Sequence, residues 1–336
     1  MEENRSLQPF QSELARASQI ADEIASRNVF ADYRRGIASN TRRRQDDDLV
    51  LFAHYLHSAG VQETGDFAND ASAWCDISGG LVKGFREWMI REGYAIGSIN
   101  VRLSTVKRYA ALAYETRMID EDKLTNIKQV KLLRYTEGIN IDKARPRSRV
   151  GTKKGKPVAI TTVTAQQLKQ RPDTPQGRRD AVLMCLLLDH GLRCSEVALL
   201  QVKHIHLEEG TFQFYRPKVH KQQTHELTRD SSRALKAYLE RDKPEGKLLQ
   251  ASRKDDTLID GSMSTRAITG RVRALGEAVG VAGLSAHDCR HYWATTAARN
   301  KTDAKSLQTA GGWNSPVMPL RYIAESEIAN KGVKLS

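Results

Sequence analysis

Residues 179–201 read RDAVLMCLLLDHGLRCSEVALLQ, and residues 210–228 read GTFQFYRPKVHKQQTHELT. The first stretch is a strongly apolar helix that Gly191 closes before a second helix starts at RCSEVALLQ. The second alternates apolar and polar side chains on either side of PKVHK, the pattern of a β-hairpin with a lysine near its bend. Helix followed by hairpin makes this half of the chain a mixed α/β domain.

Working outward, Thr164 is expected to cap a helix over AQQLKQR, and RDSSRALKAYLERD, MSTRAITGRVRALGEAVG and AHDCRHYWATTAARN read as further helices. The first half differs. Ser39 or Asn40 can cap a helix that turns Leu49, Phe52, Ala53 and Leu56 to one face and ends at Gly60. LVKGFREWMIREG follows, then SINVRLSTVKRYAALAYETRMI with Ile99, Leu103, Val106, Tyr109, Ala110 and Ala113 at helical spacing. The expected organisation is an arm or leading helix over 1–29, a helical domain over 30–130, a basic linker over 131–159 and the mixed domain with its tail over 160–336. Residues 131–156 hold nine Lys or Arg against two acidic residues. Such a strap suits a chain that crosses a phosphate backbone.

With 336 residues the chain is long enough for two cores, and 40% hydrophobic content suits globular domains. A formal charge of +13 exceeds what solubility requires and points to a polyanionic partner, nucleic acid first. No run reaches the roughly 18 to 20 apolar residues of a membrane span, and the N-terminus is too polar for a signal peptide. The expected location is the cytoplasm, in association with the nucleoid. Cys75, Cys185, Cys194 and Cys289 form no CxxC pair, and HDCRH and HIH lack further ligands at metal spacing, so neither disulfides nor zinc are expected. The acidic triplet Asp46, Asp47 and Asp48 reads as solvated.

Five polar features stand out: Arg193 at a helix junction, Lys218 in the hairpin bend, the pair His287 and Arg290 in an HxxR spacing, Trp313, and Tyr322 nine residues later. Singly each is weak. In order they resemble the tyrosine site-specific recombinases, the integrase family: HGLRCSEVALLQ is similar to its first arginine box, FYRPKVHKQQTHELT to its lysine hairpin, AHDCRHYWAT to its HxxR box and AGGWNSPVMPLRYI to its nucleophile box. Gly-Gly-Trp, where most members have Leu-Gly-His, resembles the Cre-like branch. The motifs cover 160 to about 330; residues 30–130 resemble the family's core-binding domain only in helical character.

The resemblance implies a mostly α fold with a small antiparallel β-sheet: an N-terminal helical, SAM-like core-binding domain and a mixed α/β catalytic domain. It implies an enzyme that cleaves and rejoins double-stranded DNA through a covalent 3′-phosphotyrosine, as a homotetramer on two sites, with no small-molecule substrate. Phosphoryl transfer fits the residue types. Two guanidiniums, Arg193 and Arg290, present planar donors to the charge developing on a phosphodiester, and Trp313 adds an indole N–H. Tyr322 would be the nucleophile, His287 its proton acceptor, Lys218 the acid for the leaving 5′-oxygen with Lys221 competing for that role, and Glu196 the group that orients the cations. His291 reads as structural. Expected DNA contacts are Arg42, Arg43, Arg44, Arg102, Lys107, Arg145, Arg147, Lys153, Lys154, Arg266 and Arg271. No GxxxxGK[ST] loop or carboxylate cluster is present, so no cofactor and no metal is expected. A type IB topoisomerase and a catalytically inactive DNA-binding regulator are the alternatives.

Overall fold

The computed structural model describes residues 13–145, 157–253 and 255–326. The chain divides into two compact units, Met1–Gly155 and Lys156–Ser336.

The first unit is helical throughout its described residues: α1 (Glu13–Gly36), α2 (Ser39–Ser58), α3 (Gly79–Arg91), α4 (Ile96–Glu115), α5 (Glu121–Gln129) and α6 (Tyr135–Ala144), with a 3-10 turn at Ala71–Trp74. Its core joins the apolar faces of α2 and α4 to Trp74, Phe85 and Ile127. Trp74 is buried and donates its indole N–H to the Phe67 carbonyl at 3.1 Å, so the largest core side chain leaves no unpaired donor. Helix α1 runs across residue 29, the expected end of the arm, because Phe30 is buried edge-on against Tyr109. The helix α2 begins at Ser39 after Ala38, which offers no side-chain cap.

Two readings of this half are corrected. Asp48 is buried, accepting hydrogen bonds from Arg44 at 2.5 Å and Thr105 at 2.7 Å, while Asp46 pairs with Arg34. Only Asp47 of the triplet is exposed. The segment expected as linker contains α6, fixed because Asn100 bonds both the N–H and the carbonyl of Leu133 at 2.9 Å and because Glu137 accepts from the N–H of Arg134. Basic composition concealed a helix anchored by its polar groups.

The second unit contains α7 (Thr162–Lys169), α8 (Pro175–Leu188), α9 (Cys194–Leu199), α10 (Arg229–Asp242), α11 (Thr265–Ala278), α12 (Ala286–Arg299), α13 (Ala304–Gly311) and α14 (Val317–Ser326). Antiparallel strands β1 (Ile205–His206), β2 (Thr211–Arg216) and β3 (Lys221–Glu226) form one sheet in that order, and β4 (Gln250–Ser252) pairs with β5 (Leu258–Ser262). The helix α8 is the centre of the core, with Val182, Leu183, Met184, Leu186 and Leu187 fully buried. The cap of α7 is Thr161, one turn earlier than expected; its hydroxyl accepts from Thr164 N–H at 3.0 Å. The hairpin lies where alternation placed it, with Phe212 and Phe214 turned to the core. No described helix is long and apolar enough to cross a membrane.

Candidate active site

Arg193 is the residue before α9, and Glu196 in the first turn of that helix accepts from its backbone N–H at 2.8 Å and from its guanidinium at 2.7 Å. Here the helix-start carboxylate also grips the side chain that precedes it, holding Arg193 in one orientation. Glu196 is buried and is met from the other side by Arg216, the last residue of β2, at 2.9 and 2.8 Å. Arg216 was not expected in the site. A signal existed: Phe212, Phe214 and Arg216 share one face of the strand by period-two parity, so an arginine was bound for the interior.

Arg290 and His287 stand one turn apart on α12, whose start is fixed by Ser285 and Asp288 in a reciprocal cap. Arg290 is buried and donates to the carbonyls of Gly191, at 2.6 Å, and Gly311. Burial first, then the charges of Arg193 and Arg216, push its guanidinium down to about 9, still protonated at neutral pH. His287 is exposed at the surface of the site; desolvation and the neighbouring Arg290 lower it below the usual histidine range, favouring the neutral ring.

The end of α13 is where the pieces meet. Its last three carbonyls are taken in succession by side chains from elsewhere: Thr309 by Gln223 of β3 at 2.7 Å, Ala310 by Arg216 at 2.6 Å, and Gly311 by Arg290. Cations suit a helix C-terminus. Gly312 turns the chain in the left-handed region at φ +60°, and a Cβ there would lie 2.5 Å from Cδ of Arg216. Trp313 follows, lying over the Arg290 guanidinium at 4.6 Å and stacking on Trp293 at 6.1 Å. Tyr322 of α14 is buried, its ring 5.8 Å from that of Trp313 and 5.1 Å edge-on from His291. Burial raises its phenol above the usual range, and Arg290 opposes that shift. A groove of about 540 Å³ runs beside it, lined by His287, His291, Tyr322 and residues 157–160.

Arg193, Glu196, His287, Arg290, Trp313 and Tyr322 thus fall around one place. Lys218 and Lys221 do not join them: both are exposed, in and just after the β2–β3 turn. Of the expected DNA contacts, Arg42, Arg43 and Arg266 are exposed near the starts of their helices. Others are engaged in the protein. Arg44 binds Asp48 and Arg102 lies 3.7 Å from it; Lys107 donates to carbonyls at the end of α5; Arg145 pairs with Asp142 and the Ile90 carbonyl; Arg271 pairs with buried Asp180. Arg147, Lys153 and Lys154 lie outside the described residues. Among the described residues no cluster of three His, Cys, Asp or Glu is placed to hold a metal.

Residues 159–327 match the phage integrase family. The chain belongs to that family. It is a tyrosine recombinase, an enzyme of site-specific strand transfer. Tyrosine recombinase XerD of Chlorobaculum tepidum is 22% identical over 293 residues, covering 86% of each chain. XerD of Xanthomonas axonopodis pv. citri is 25% identical over 295 residues, covering 83% of this chain and 85% of its own. Among solved structures, the Tn1549 transposon integrase in complex with transposon right end DNA superposes with a TM-score of 0.63 at 14% identity, covering 88% of this recombinase and 94% of that chain. The lambda integrase dimer bound to a COC′ core site gives 0.59 at 15%, covering 97% and 85%. At such identities the structural likeness is one of fold, mostly helical with small antiparallel sheets.

Proposed function

We propose that this recombinase cuts double-stranded DNA with Tyr322 and exchanges strands between two sites held by four protomers. The observation that carries the reading is the stack in which Arg290, fixed by two carbonyls, lies under Trp313, which in turn packs on Tyr322. It joins the anion-binding group to the nucleophile through one rigid aromatic.

Arg193 and Arg290 receive the non-bridging oxygens of the scissile phosphate, and the indole N–H of Trp313 donates to the same group. The Tyr322 oxygen attacks phosphorus and the bond to the 5′-oxygen breaks, leaving a 3′-phosphotyrosine. A free phenol near pKa 10 costs roughly 4 kcal/mol to ionise at pH 7, and burial adds to that in the free protein. Bound DNA therefore must bring the phenol proton within reach of His287, whose lowered basicity keeps it a neutral acceptor. Lys218 protonates the leaving 5′-oxygen, which requires the exposed turn to close on the DNA. Lys221 is the other lysine within that turn region. Because the ester conserves the bond, a 5′-hydroxyl from the second duplex reverses the step and religates without ATP.

The test is a suicide duplex, nicked beside the cleavage point and built on a site recovered from a randomised duplex pool by covalent capture. A protein–DNA adduct is expected from the native chain and none from Tyr322→Phe; an adduct that survives that substitution overturns the assignment. Exchange between two labelled duplexes supports recombination, whereas plasmid relaxation without exchange selects the topoisomerase alternative.

A further inference from the structure

Arg216 is fully buried, so it cannot touch DNA, yet each part of its guanidinium is committed. Nη1 binds both oxygens of Glu196, Nη2 the Ala310 carbonyl, and Nε the Gln223 amide oxygen, while the group lies 4.7 Å over the Phe214 ring. A buried ion pair is seldom retained for stability, since apolar residues of similar volume usually serve as well. The place of this one suggests another reason. Glu196 also binds Arg193, and a buried carboxylate shared with Arg193 alone would cancel the charge of the guanidinium meant for the phosphate.

We infer that Arg216 is a positioning residue that neutralises Glu196, leaving Arg193 cationic for the phosphate while tying β2 to the loop that carries Trp313. The inference rests on the reading of Arg193, Arg290 and Tyr322 given above. Arg193, Arg216, Arg290 and Glu196 together carry two net positive charges, to which Lys218 and the proton passed to His287 add. A phosphodiester attacked by a phenolate carries one more negative charge in the transition state than the bound diester does, so each positive charge kept in this cluster acts most strongly at the moment of reaction. Without Arg216 the cluster keeps one positive charge fewer, and the loss falls on the transition state.

Adduct formation on the suicide duplex, measured in single turnover beside DNA affinity and thermal melting, tests this. Arg216→Met is expected to slow adduct formation roughly 100-fold or more with affinity within a few-fold of native, since the loss falls on the transition state. Arg216→Lys, which keeps the charge, should return to within about tenfold of native. The double variant Arg216→Met with Glu196→Gln restores two net charges and should regain most of the rate that Arg216→Met loses. A folded Arg216→Met that reacts at the native rate, or a folded double variant no faster than Arg216→Met, overturns the inference. Should Arg216→Met fail to fold, Arg216→Lys decides: a folded lysine variant slowed as much as 100-fold overturns it equally. Native protein that makes no adduct, or a Tyr322→Phe variant that does, defeats the underlying reading and not this one.

Discussion

Buried His190 and half-buried His225 are bases that the chemistry leaves aside. His190 shares a hydrogen bond with Ser231 at 2.8 Å and meets Phe212 edge-on, while Nε2 of His225 is buried without a partner. Desolvation holds His190 at about 3 and His225 at about 4. Their folded values lie below the unfolded value near 6.5, so the unfolded chain takes up protons first and stability falls as pH drops through 6.5. Between pH 7.5 and 5, His225 alone should cost about 2 kcal/mol. Urea unfolding of the native chain and His225→Phe at both values checks this, the variant losing less on acidification. At this scale the sequence named Arg193, His287, Arg290, Trp313 and Tyr322, since motif spacing survives without coordinates. It did not name Arg216, because an arginine in a short strand reads as a surface residue unless strand parity is followed to the end. Nor could it see that Asp48 and Asp180 are buried, since the partners that hold them there, Thr105 and Arg271, are distant in the chain.

Among the elements, α12 carries two of the expected catalytic side chains, and its first turn is secured by one carboxylate. Asp288 accepts from the Ser285 N–H at 2.8 Å and hydroxyl at 2.6 Å, and from Val158 N–H at 2.9 Å, so it also ties down the strand of chain that lines the groove beside Tyr322. Asp288→Ala should lower stability by about 1–2 kcal/mol, read as a fall in melting temperature, and should slow adduct formation because Arg290 loses its register. Asp288→Asn should retain more of both. The long helices were legible from periodicity, and the hairpin from alternation. The two-residue β1 and the pair β4 and β5 were not, being too short for a pattern, and the cap of α7 was misplaced by one turn because Thr161 and Thr164 offer the same chemistry.

For the whole molecule the formal charge of +13 predicts a polyanionic partner without saying which cations meet it. The fold sorts them. Arg42, Arg43 and Arg266 are exposed, whereas Arg44, Arg102, Arg145 and Arg271 are tied into ion pairs, each within its own unit. Replacing Arg42 and Arg43 by alanine should leave melting unchanged and reduce the slope of log affinity against log salt by about one for each phosphate that these side chains neutralise. Arg271→Ala should do the reverse, lowering the melting temperature by leaving Asp180 short of a partner with little change in slope. Filter binding across a salt series, run beside thermal melts, separates the two classes. Composition indicates the partner class here; ion pairing within each unit marks the cations that hold the fold.

Gly311 and Trp313 constrain each other's size. A Cβ on Gly311 would lie 2.0 Å from the Trp313 ring, so the indole fills the room a side chain at 311 would occupy. The two positions share one volume. A bulky residue at 311 fits only beside a smaller ring at 313; beside the indole it would collide, because the end of the helix is pinned by Arg216 and Arg290 and cannot move aside. Trp313→His should therefore open a cavity that the protein survives at a cost in stability, whereas Gly311→Leu in the native background should prevent the loop from closing.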